Sequence, residues 1–212
     1  MGSTGSGSIT QTLSTKYNIS AEGVNTRVLQ QLPKLLDRLY KELPGMKNVD
    51  ARIVEASFKE KFPQYEGNTA LSDPRSNAIY LNTDVDIYAR YSQRLNEGFY
   101  PKGTTAANII IHELAHKFQY NFASRLGLNN EDAARQVVTN AFNTPSIKAQ
   151  FSSMEQAEKS ISQYAGKGFE ILPGVRAPQH QETVSEAISE YASNGNNSSD
   201  FTKAIIKQLK RK

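Results

Sequence analysis

Residues 108–118, Asn-Ile-Ile-Ile-His-Glu-Leu-Ala-His-Lys-Phe, constrain this chain more than any other stretch. Histidines four positions apart stand one above the other on a helix, so His112 and His116 can reach a single ion. Ile109, Ile110, Ile111, Leu114, Ala115 and Phe118 supply enough apolar surface for the rest of the helix to be buried. Other elements must therefore cover this helix while leaving its histidine face open. Thr104 or Thr105 is placed to cap it, and it is predicted to run through His116 to about Ala123.

Composition narrows the chemistry. The chain has 212 residues, no cysteine and three histidines. Disulfides, thiolate metal sites and cysteine nucleophiles are excluded together, so any metal site draws on His, Asp and Glu. Two of the three histidines fall inside the motif; the third, His180, reads as a surface or substrate-side residue. Zinc suits imidazole nitrogen and carboxylate oxygen, and a catalytic site takes three protein ligands and keeps one position open. Glu113, rotated about 100° from His112 around the helix, can reach a water activated there without being a ligand. It is the expected general base for attack on a carbonyl, returning the proton to the leaving amine.

The third ligand is sought on the segment Gln181–Tyr191, where Glu182, Glu186 and Glu190 recur at intervals of four and share a helix face. Val184, Ala187, Ile188 and Tyr191 give that helix a buried side. Carboxylates at this spacing repel one another, and a cation between two of them relieves the repulsion. Glu190 fits a solvated acidic face as well as it fits a site.

Elsewhere the apolar residues from Val24 to Leu43 recur at helical spacing, with Pro33 expected to bend the helix and Pro44-Gly45 to end it. Residues 50–58 and 77–82 read as strands, with a turn-rich loop between them. Helices are predicted over 84–95, 129–142, 153–164, 182–191 and 200–210, and a loop over 166–178. The fold class is α+β, mainly helical with a small mixed sheet beside the HExxH helix. Residues 21–212 form one domain. The Gly/Ser-rich start, taken as residues 1–20, reads as a flexible leader such as a cloning scar.

The blocks 98–103 (Gly-Phe-Tyr-Pro-Lys-Gly), 110–116, 161–165 (Ile-Ser-Gln-Tyr-Ala), 182–187 (Glu-Thr-Val-Ser-Glu-Ala) and Asn194-Gly195 resemble the gluzincin-type metallopeptidase domains of phage and prophage minor head proteins, the Mu F-like group. More distantly they are similar to catalytic domains of the anthrax lethal factor type. The resemblance covers about half the chain, from Gly98 onward. It implies a zincin-like fold, Glu182 as the third zinc ligand and Glu186 as the carboxylate that orients a ligand histidine, with Glu186 the alternative ligand. It also implies that Tyr164 donates to the developing oxyanion. The chain departs from the pattern at Ala115, where Gly is more usual, at Ser185, where Ala is favoured, and in the long segment 166–181.

These readings predict a zinc-dependent endopeptidase with a protein or peptide substrate, phage- or prophage-associated and virion-associated or cytoplasmic. In zincins a strand beside the metal helix pairs with extended peptide, and 77–82 is the expected strand. A catalytically silent zinc-binding domain of a phage particle is the alternative. The net charge of +4 owes much to Lys203, Lys207, Lys210, Arg211 and Lys212, which fit a solvated helix end or, less simply, a nucleic-acid contact. No run of about twenty apolar residues is present, so no membrane partner is expected.

Overall fold

The computed structural model describes residues 6–167, 169–172, 175–177 and 179–210. Its helices are α1 (Ser6–Tyr17), α2 (Thr26–Leu29), α3 (Leu32–Glu42), α4 (Phe58–Lys61), α5 (Ile87–Asn96), α6 (Asn108–Leu126), α7 (Asn130–Phe142), α8 (Pro145–Gln150), α9 (Met154–Lys159), α10 (His180–Asn194) and α11 (Asp200–Lys210). Strands β1 (Ile19–Ser20), β2 (Ala51–Ala56), β3 (Ala70–Ser72) and β4 (Ala78–Asn82) form a mixed sheet in the order β1-β2-β4-β3. β1, β2 and β4 run parallel, and β3 closes the edge antiparallel to β4. The architecture is α+β and mainly helical, with the small mixed sheet beside the motif helix α6.

One core joins all of this. Leu32, Leu36 and Leu39 of α3, Ile53 and Ile79 of the sheet, Ile110 and Leu114 of α6, Val138 of α7, Ile188 of α10 and Ile205 of α11 are all buried in it. Pro33 does more than bend its helix. It sits in the first turn of α3, where its missing N–H costs nothing, and the chain breaks at Gln30-Gln31 to leave α2 as a separate turn.

The leader reading of residues 1–20 is corrected for 6–20. Ile9, Leu13 and Tyr17 lie at intervals of four on α1, with Leu13, Tyr17 and Ile19 buried in the core. The Tyr17 hydroxyl donates to Asp37 of α3. Serine and threonine on the outer face masked this amphipathic pattern. Residues 1–5 lie outside the described residues.

Three further expectations change. The loop predicted over 59–76 contains α4 and β3, and the loop over 166–178 contains a two-stranded ribbon, β5 (Phe169–Leu172) and β6 (Val175–Ala177). The helix predicted over 153–164 stops at Lys159, so Tyr164 stands on the turn that follows α9. α6 begins at Asn108 instead of at the threonines, and ends where Gly127 takes the left-handed conformation that an L side chain resists. Among the described residues, no helix is long and apolar enough to cross a membrane.

Candidate metal centre

α6 and α10 pack antiparallel, and polar side chains set their register. Asn108, buried at the start of α6, donates to the Ser189 carbonyl at 2.7 Å and accepts from Ser193 Oγ at 2.9 Å. At the other end Gln119 donates to the Gln181 carbonyl at 3.0 Å and to Ser185 Oγ at 2.8 Å. The loop leading into α6 is fixed at Gly103, which has positive φ and where a Cβ would stand 2.6 Å from Asn194 Oδ1. These contacts leave the histidines of α6 facing the carboxylates of α10.

Three donor atoms converge there. His112 Nε2 lies 3.1 Å from His116 Nε2 and 3.0 Å from Glu182 Oε2, and His116 Nε2 lies 3.4 Å from the same oxygen. His112, His116 and Glu182 form the group of three or more potential metal ligands among the described residues. Ligands at roughly 2.0–2.1 Å from a tetrahedral zinc stand about 3.3–3.4 Å from one another, so the triangle has the size such an ion needs. The donor set, two imidazole nitrogens and one carboxylate oxygen, also suits zinc.

Each histidine is held through its other nitrogen. His112 Nδ1 lies 2.8 Å from Glu186 Oε1, and Glu186 Oε2 accepts from Ser162 Oγ at 2.9 Å. His116 Nδ1 lies 3.2 Å from Ser185 Oγ. With each Nδ1 carrying its proton toward these oxygens, both Nε2 lone pairs point at the Glu182 carboxylate, and three acceptors meet at one place. Such a cluster needs a positive charge at its centre. A proton can answer the same need. Burial lowers the His112 pKa, but hydrogen bonds and charge attraction from Glu182 and Glu186 outweigh it and hold the pKa well above the ordinary imidazole value. For Glu182, burial is outweighed by His116 and His112, and its carboxyl stays well below the usual range.

Glu113 lines a cleft of about 210 Å³ beside His112, together with Tyr164 and residues 68–70. No hydrogen bond or ion pair engages its carboxylate among the described residues, so it is available to a reactant. Tyr164 reaches the cluster from the far wall, its ring 5.9 Å from that of His112. Burial, then the charges of Glu182, Glu186 and Glu113, raise its hydroxyl pKa and keep it a donor. Its position is fixed by backbone bonds from Gln163 N to the Gly98 carbonyl and from Tyr164 N to the Phe99 carbonyl.

The remaining predicted residues are placed elsewhere. Glu190 is buried but faces α11, accepting from Ser199 N at 2.8 Å, Ser199 Oγ at 2.9 Å and Thr202 Oγ1. Four residues advance an α-helix by about 40° past a full turn. Glu190 has therefore drifted about 80° from Glu182 and left the site. His180 is a buried residue, not a surface one. Its Nδ1 lies 2.6 Å from Glu131 Oε1, tying the start of α10 to α7.

The expected substrate strand is also corrected. β4 is paired on both sides, and its Asn82 side chain is spent on the Glu66 and Asn68 carbonyls. The free edge belongs to β3. Asn82 N donates to the Thr69 carbonyl and Asp73 N to the Ala78 carbonyl, so Thr69, Leu71 and Asp73 turn their backbone groups toward β4. Ala70 and Ser72 turn theirs outward, and Ala70 lines the cleft. Buried Lys117 steadies this edge from α6, donating to the Ser76 carbonyl at 2.8 Å and the Asp73 carbonyl at 3.2 Å.

Sequence reasoning did not assign roles to Ser162, Ser185, Asn108, Gln119 or Lys117. Ser185 did carry a signal, because it replaces the Ala that the phage pattern favours, and its hydroxyl is the partner of His116 Nδ1. The basic C-terminal residues are partly neutralised. Lys203 pairs with Asp200 and Lys210 with Glu42, while Arg211 and Lys212 lie outside the described residues. Comparison with known protein families, with curated proteins and with solved structures finds no match.

Proposed function

We propose that the chain is a zinc-dependent endopeptidase whose metal is held by His112, His116 and Glu182. The observation that carries this reading is the triangle of two Nε2 atoms and one carboxylate oxygen, with sides of 3.0, 3.1 and 3.4 Å, whose His112 corner lines a cleft that also contains Glu113. Bound there, zinc supplies Lewis acidity that activates a water and polarises a carbonyl.

The chain's own residues supply the rest. The outward N–H and C=O groups of Ala70 and Ser72 pair with an extended peptide and lay it along the cleft. Glu113 accepts the proton of the attacking water and delivers it to the leaving amine. The Tyr164 hydroxyl donates to the oxygen on which negative charge develops. Glu186 and Ser185 hold the two imidazoles in the tautomer that presents Nε2. The resemblance to phage head domains extends the proposal to a virion-associated or prophage-encoded peptidase acting on protein.

The test is zinc content and peptide hydrolysis measured together. Wild-type protein should carry near-stoichiometric zinc, lost in His112→Ala, His116→Ala and Glu182→Ala. Glu113→Gln should keep the zinc and lose hydrolysis. An active Glu113→Gln variant removes the base assignment; zinc-free wild type after reconstitution removes the metal reading altogether.

A further inference from the structure

The cleft continues past Glu113 into an aromatic pocket, and the two ends differ in charge. Its carboxylates, Glu113 and Glu186, lie at the histidine end, whereas its cations are Arg94 and Lys167. The aromatic wall leads from one to the other. The His112 ring is 5.9 Å from Tyr164, Tyr164 is 5.0 Å from Phe99, and the Arg94 guanidinium stands 4.9 Å over Phe99. Lys167 Nζ lies 5.7 Å from the same ring.

Arg94 is held but not neutralised. Nη1 donates to the Tyr100 hydroxyl at 3.4 Å, and no carboxylate pairs with the guanidinium among the described residues. The wall behind it is rigid. Tyr100 stacks on buried Tyr91 with centroids 4.4 Å apart and planes 10° from parallel, and the Tyr91 hydroxyl donates to Thr104 at 2.6 Å. A guanidinium fixed against rings, partly buried and without an acid partner among the described residues keeps most of its donors for a ligand.

We propose that this pocket is a specificity subsite that takes a peptide carboxylate, bound by Arg94 and flanked by the rings of Phe99 and Tyr100. The proposal rests on the peptidase reading for its choice of ligand. The carboxylate can come from an Asp or Glu side chain or from a peptide C-terminus. Both present the planar pair of oxygens that a guanidinium matches. The free edge of β3 reaches the same cleft at Ala70, so a peptide laid along it passes the pocket. An extended chain advances about 3.3 Å per residue, which sets the subsite within a few positions of the scissile bond.

The experiment uses zinc-loaded Glu113→Gln protein, immobilised and offered a synthetic random peptide library in amidated and free-acid forms, with retained peptides sequenced. Retention should favour Asp and Glu over Asn and Gln at one position, or free-acid over amidated peptides, by about tenfold or more. The first pattern identifies a side chain and the second a C-terminus. Adding Arg94→Gln should erase the preference, Arg94→Lys should weaken it and Arg94→Glu should reverse it toward Lys and Arg. Zinc content equal to the parent's shows that each variant is folded. Equal pools with and without Arg94, or no retained peptide, overturn the subsite. Digestion of the same library by wild-type protein separates the two readings. Cleavage without acidic preference sinks the subsite alone. Arg94-dependent retention without any cleavage sinks the peptidase and leaves the subsite standing.

Discussion

Replacing Glu186 tests whether it supports the metal site without ligating. Its carboxylate is buried, accepts from Ser162 Oγ at 2.9 Å and lies 2.8 Å from His112 Nδ1. Glu186→Gln keeps the shape and allows the amide oxygen to accept from Nδ1–H. The new amide nitrogen then donates to Ser162 Oγ, whose hydroxyl proton must turn away. What is lost is mainly the negative charge behind the imidazole, and partners of this kind are worth roughly 10–100-fold in metal affinity. The expectation is a loss of about tenfold for Glu186→Gln and nearer a hundredfold for Glu186→Ala, which also leaves a buried N–H without an acceptor. Glu182→Ala removes an inner donor and should lose more than either. The assay is competition for zinc against a chromophoric chelator at fixed pH and ionic strength. If Glu186→Ala released zinc more readily than Glu182→Ala, the roles would be exchanged; unchanged affinity in both Glu186 variants would refute the orienting role.

Tyr164→Phe should retain zinc and lower kcat by about 10²–10³-fold if the hydroxyl serves the oxyanion, with kcat and zinc measured on one preparation. Glu190→Ala should leave zinc binding intact and destabilise the fold by about 1–3 kcal/mol, because Ser199 and Thr202 lose a buried acceptor. Chemical denaturation reads that loss, and a large fall in zinc affinity would return Glu190 to the site. The pKa of His112 is raised in the metal-free protein, so its charged pairing with Glu182 and Glu186 stabilises the fold fully below about pH 6.5 and is lost as pH rises through the raised value. Zinc competes with that proton, so its affinity should move the opposite way and climb over the same window. Thermal midpoints of the metal-free protein that rise with pH through this range would contradict the sign.

The motif helix was legible because its signal is local: two histidines and a glutamate at fixed spacing on an apolar helix need no distant partner to be noticed. Glu182 and Glu186 were legible as a pair, but spacing alone could not rank them. The ranking depends on where α10 lies against α6, and Asn108, Gln119 and Ser189 set that register across more than sixty residues of chain. Glu190 shows the same dependence in reverse: it shares the spacing and leaves the site through the slow rotation of the helix. β3 was missed because three residues carry no usable periodicity. Their strand character comes from the β4 neighbour they pair with.

His180 and Ser185 show why polar residues are harder to read than apolar ones. A buried leucine announces itself by type, whereas a buried histidine becomes structural only through a partner such as Glu131, forty-nine residues away. Ser185 stands where the phage pattern favours a residue without a hydroxyl, and by that pattern it weakens the resemblance. In the fold it is fully buried, accepts from Gln119 Nε2 and sits 3.2 Å from His116 Nδ1. His112 and His116 therefore have unlike supports, a carboxylate behind the first and a hydroxyl behind the second. A charged acceptor makes an imidazole more basic than a neutral one does. In the proposed zinc site His112 is then expected to be the more strongly donating of the two. Of the departures from the pattern, this is the one that bears directly on the proposed metal site, and it acts by setting the two imidazoles apart.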